Sequence, residues 1–81
     1  MKFVIRSDRP IMVAFEPTAA ETLLQPGTPI VVEWPLGGDD GMVSLEAKNF
    51  VIAAPTGGHT RAWYADGTEI YVGPESGLGA H

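Results

Sequence analysis

The chain has 81 residues, 44% apolar and 19% charged, enough for one compact domain and too weakly charged for a solvated, disordered polymer. Ten acidic residues against five basic ones give a net charge of −5, which repels phosphate backbones and excludes nucleic acid as a general partner. No cysteine is present, so neither a disulfide nor a thiolate zinc site can hold the domain together, which suits a reducing, cytoplasmic setting.

At the N-terminus, "MKFVIRSDRPIMV" carries charges at Lys2, Arg6, Asp8 and Arg9. They interrupt any signal-peptide apolar region, and no later run approaches a membrane-spanning length, so a soluble, unprocessed chain is expected. Lys2, Arg6 and Arg9 are three of the five cations and suit either a solvated strand edge or a local anion contact. "KFVIRS" and "IMVAFE" read as the first two strands, with Phe3, Ile5, Ile11, Val13 and Phe15 inward; "SDRP" between them does not fix a register.

"PTAAETLLQ" is ambiguous. Thr18 and Glu21 have capping-box spacing, and Ala19, Ala20 and Leu23 favour helix. Pro26 cuts the segment off, however, and favours a short strand over Thr22 to Leu24. "QPGT" then places Pro26 and Gly27 at the centre of a type II turn. In the strand "PIVVEW", Ile30, Val32 and Trp34 point one way and Val31 and Glu33 the other.

Two hairpins follow. A turn at Lys48-Asn49 would pair Ala47 with Phe50, Leu45 with Ile52 and Val43 with Ala54 on one apolar face, leaving Ser44, Glu46, Val51 and Ala53 opposite. In "RAWYADGTEIYV", Asp66-Gly67 supplies a two-residue turn that pairs Tyr64 with Glu69, Trp63 with Ile70, Ala62 with Tyr71 and Arg61 with Val72. Trp63, Ile70 and Val72 then share the core face, and Ala62, Tyr64, Glu69 and Tyr71 the outer one.

Ten glycines and seven prolines separate these short runs at intervals of about eight to twelve residues, the mark of a sandwich or barrel. The expected fold is all-β: a small antiparallel β-sandwich or partly open barrel of seven to eight short strands, with residues 1–73 as one domain and 74–81 a flexible tail. The run "AFEPTAAETLLQPGTPIVVEWP", with the glycine-rich turn and "ADGTEI" after it, resembles short uncharacterised bacterial all-β proteins over about two thirds of the chain. Their shared pattern is a Leu-x-Pro-Gly turn before an apolar strand. The resemblance implies a fold and no activity.

Chemistry is sparse. Asp39 and Asp40 in "GGDDG" match neither an EF-hand ladder nor a calcium-binding repeat and read as a turn, so no metal is expected. His59 in "PTGGHTR" is the sole internal histidine, with no G-x-S-x-G serine and no cysteine to serve as its nucleophile. Phosphate-loop patterns are absent too, and no cofactor is expected. Glu33, Glu46 and Glu69 fall on outward faces, where solvated glutamates belong.

Tyr64 and Tyr71, with Glu69 beside them and His59 as a further loop candidate, offer rigid contact area with polar tips. The leading expectation is a non-enzymatic module for protein–protein interaction or self-association. A small-ligand or carbohydrate binder using the tyrosine pair is the alternative, and an accessory subunit or minor enzyme using His59 the third.

Overall fold

Apolar runs cut by proline and glycine give eight strands and no helix among the described residues, 1–73 of a computed structural model. In chain order these are β1 (Lys2–Ile5), β2 (Ile11–Glu16), β3 (Ala20–Leu24), β4 (Ile30–Glu33), β5 (Met42–Glu46), β6 (Asn49–Ala53), β7 (Arg61–Tyr64) and β8 (Glu69–Ile70). They form two four-stranded sheets, ordered β1-β4-β7-β8 and β3-β2-β6-β5. The fold is an all-β sandwich. The expected flexible tail, 74–81, lies outside the described residues.

The sandwich is not wholly antiparallel, because β2 and β6 run parallel, with Val13 beside Phe50 and Phe15 beside Ile52. A parallel pair needs a long crossover. Here β3, β4 and β5 supply it, leaving for the opposite sheet and returning.

Alternation fills the core between the sheets. Val13, Phe15 and Ile52 on one side and Ile30, Val32 and Ala62 on the other are fully buried, the larger side chains contributing about 1.5–3 kcal/mol each. Trp34 is buried as expected, and its indole N–H donates to the Thr60 hydroxyl at 2.9 Å.

The ambiguous segment is a strand, longer than expected at Ala20–Leu24. Thr18 does not cap a helix; its hydroxyl donates to the Val72 carbonyl at 2.7 Å. The type II turn forms as read, with Gly27 at φ 80° and the Thr28 amide donating to Gln25 at 3.1 Å. It carries the chain from one sheet to the other.

Both hairpin registers differ from expectation, with different consequences. The first turns at Ala47-Lys48, pairing Leu45 with Phe50 and Val43 with Ile52. This shift of two preserves every side-chain face. The second closes over three residues: Gly67 donates to the Tyr64 carbonyl at 2.9 Å, Tyr64 donates to Thr68 at 2.9 Å, and Gly67 takes φ 94°. That is a type I turn followed by a glycine bulge, and it pairs Ala62 with Ile70 and Trp63 with Glu69. A slip of one flips β7. Ala62 and Tyr64 therefore face inward and Trp63 outward, whereas Ile70 and Val72 stay in the core.

Candidate interaction site

The flipped strand separates the two tyrosines. Tyr64 lies at the margin of the core, its hydroxyl 2.8 Å from that of Thr22 on β3. Tyr71 alternates with buried Ile70 and Val72 and is 50% exposed. They do not form a surface pair.

Glu69 is on the outer face, where the sequence placed it, and accepts both Arg61 Nε and Nη2 at 3.0 Å. Arg61 also lies over the Trp63 ring, 5.0 Å from its centroid, with the Lys2 ammonium at 5.9 Å. The indole face that the flip exposes is thus met by two cations, an arrangement favourable in itself.

His59 belongs to a different region. The loop before β7 places it in a pocket of about 240 Å³ with Phe15, Glu16, Thr18, Thr60 and Val72, and it makes no hydrogen bond to a described residue. An acid and a nucleophile aligned on it would be the mark of a catalytic site; among the described residues neither hydrogen-bonds to it. Among the described residues, no group of three or more histidines and carboxylates is placed to hold a metal.

The "GGDDG" connection has a structural role. Asp40 accepts from the Thr56 amide at 2.8 Å and from the Thr56 hydroxyl, which holds its carboxyl below the usual carboxylate range. Gly38 donates to the Thr56 carbonyl at 3.0 Å, so the two loops are clasped. Gly41 is needed for contact: a Cβ there would lie 2.5 Å from the Trp34 ring. Glycine at 58 serves likewise, since a Cβ would meet the Leu36 carbonyl oxygen at 2.1 Å.

One end of a sheet is an open edge. Four strands end the two sheets, and three are guarded in ways that discourage pairing. β8 has only two residues, β1 carries Lys2, and β3 carries the exposed charge of Glu21. β5 differs. Met42, Val43 and Leu45 are 57%, 41% and 62% exposed, and the strand contains neither proline nor lysine.

Val43 and Leu45 share a face with Phe50 and buried Ile52, so the opposing sheet stops short of covering them. On the other face the Ser44 hydroxyl donates to Glu46 at 2.7 Å, which holds the strand's one charge away from this apolar face. Alternation identified these residues, but only the strand order marks them as an edge.

Compared with known proteins, the chain matches no family model, no curated protein and no solved structure. No helix is long and apolar enough to cross a membrane among the described residues.

Proposed function

We propose that this chain is a non-enzymatic β module that works by protein–protein binding, with a second copy of itself as partner and the edge of β5 as the contact. The observation that supports the reading most directly is the unguarded strand: five residues with no backbone partner beyond β6 among the described residues and three exposed apolar side chains. Such an edge is a template for another strand.

The sequence of β5 is self-complementary in an antiparallel two-fold pairing centred on Ser44. Val43 then meets Leu45, Met42 meets Glu46, and no like charges face each other. The two sheets would continue as one of eight strands, four from each copy. A cytoplasmic setting, consistent with the cysteine-free composition, belongs to the same proposal.

Sedimentation of the parent beside Leu45→Lys tests it. The parent should form dimers and the lysine variant, with a charge placed on the edge, should remain monomeric. A parent that stays monomeric at high concentration would refute the proposal.

A further inference from the structure

At the end of the sandwich where the β1–β2 connection passes the β5–β6 turn, a cleft of about 640 Å³ opens. Its apolar floor comprises half-buried Ile11 and Phe50 with exposed Leu45, and its rim carries Arg6, Arg9, Lys48 and Asp8. In a chain of net charge −5, this is a local reversal of sign.

The five lysines and arginines are engaged unequally. Lys2 and Arg61 lie over Trp63, and Arg61 is also bound to Glu69. Arg9 is paired with Asp8 at 2.8 Å. Arg6 and Lys48 have no ion-pair partner among the described residues, and both line this cleft. Two unpaired cations above an apolar floor call for an anion with an apolar body.

We infer that the cleft binds a singly charged amphiphile, a carboxylate bearing an apolar chain. Arg6 and Lys48 take the carboxylate, the guanidinium offering a planar pair of donors suited to it, and the chain lies on Ile11, Phe50 and Leu45. The volume falls within the usual range for small-ligand pockets. The net charge of the chain disfavours multiply charged phosphates more strongly than a monoanion, since repulsion grows with ligand charge. This goes beyond the proposed self-association, and its test alters no β5 residue.

Octanoate, 1-octanol and octylammonium titrated into the full chain and followed by amide chemical shifts distinguish the outcomes. Octanoate should give saturable shifts confined to residues 6–11 and 45–50 and bind about tenfold tighter than 1-octanol, with octylammonium weaker than both. Replacing both exposed cations, Arg6→Gln with Lys48→Gln, should keep the dispersed spectrum of the parent and weaken octanoate about tenfold. Charge reversal, Arg6→Glu with Lys48→Glu, should turn the preference to octylammonium. Shifts that are scattered or do not saturate, equal binding of octanoate and octanol, or unchanged octanoate binding by the glutamine variant would overturn the assignment.

Discussion

The Tyr64 hydroxyl meets the Thr22 hydroxyl at 2.8 Å, tying β7 of one sheet to β3 of the other. A part-buried hydrogen bond of this kind contributes about 0.5–1.5 kcal/mol net. Tyr64→Phe should destabilise by that amount in denaturant unfolding. A double-mutant cycle with Thr22→Val should recover a coupling of similar size; a coupling near zero would mean that the two hydroxyls contribute independently.

The outward position of Trp63 sets a contrast. Phe15 is fully buried, and its truncation to alanine should cost about 3–5 kcal/mol. Trp63→Ala removes a larger side chain from the outer face and should cost clearly less, chiefly lost area and the Arg61 and Lys2 contacts. Equal losses would place the indole in the core.

This contrast also shows how far the sequence could be read. Period-two alternation correctly placed Phe3, Ile5, Val13, Phe15, Ile30, Val32 and Trp34, because strands that bury one face leave a clear pattern. In "RAWYAD" the pattern is ambiguous, since alanine, tryptophan and tyrosine fit either face. Turn length decides the face, and aspartate-glycine serves both a two-residue turn and a three-residue turn with a glycine bulge. That single count moved Tyr64 inward and Trp63 outward.

The β5–β6 hairpin sits two residues from the register that its turn signal suggests, and its faces survive because the shift is even. The parallel pairing of β2 with β6 and the open edge at β5 are set by contacts between segments far apart in the chain, which local pattern does not encode.

Burial of the Trp34 indole beside Thr60 leads to a polar prediction. Thr60 is 6% exposed and its hydroxyl is the acceptor for the indole N–H. Thr60→Val keeps the shape but leaves that donor unsatisfied, at a cost of about 1–3 kcal/mol. Thr60→Ser, which retains the hydroxyl, should recover most of the loss. Equal melting temperatures for the parent and Thr60→Val would show that the bond contributes nothing net.

Asp40 gives the domain an acid-sensitive clasp. The Thr56 hydroxyl and amide lower its pKa in the folded state, so the stabilisation is complete above the ordinary aspartate value of about 3.9 and disappears as pH falls through the lower folded value. The melting temperature of the parent should exceed that of Asp40→Asn near neutrality, with the gap closing in acid. A gap that is constant with pH would detach the carboxylate from stability. Both oxygens already accept from Thr56, and Asp39 alone leaves most of a calcium shell unfilled. Millimolar calcium should therefore move the melting temperature by less than about one degree.

Salt should act on association in a definite direction. Two chains of −5 repel at long range, while the proposed β5 contact is apolar and backbone-mediated. Raising ionic strength from about 0.01 M to 0.15 M shortens the screening length from about 30 Å to 8 Å and should tighten the dimer. Weakening with salt would point to a charge-driven contact elsewhere.

Sedimentation equilibrium of the parent and Leu45→Lys, across concentrations up to about a millimolar, shows whether β5 carries self-association. The parent's mass should rise toward twice 8.6 kDa while the variant stays at 8.6 kDa with an unchanged melting temperature when dilute. A parent that holds the monomer mass throughout, or a variant that dimerises as well as the parent, would contradict the β5 contact.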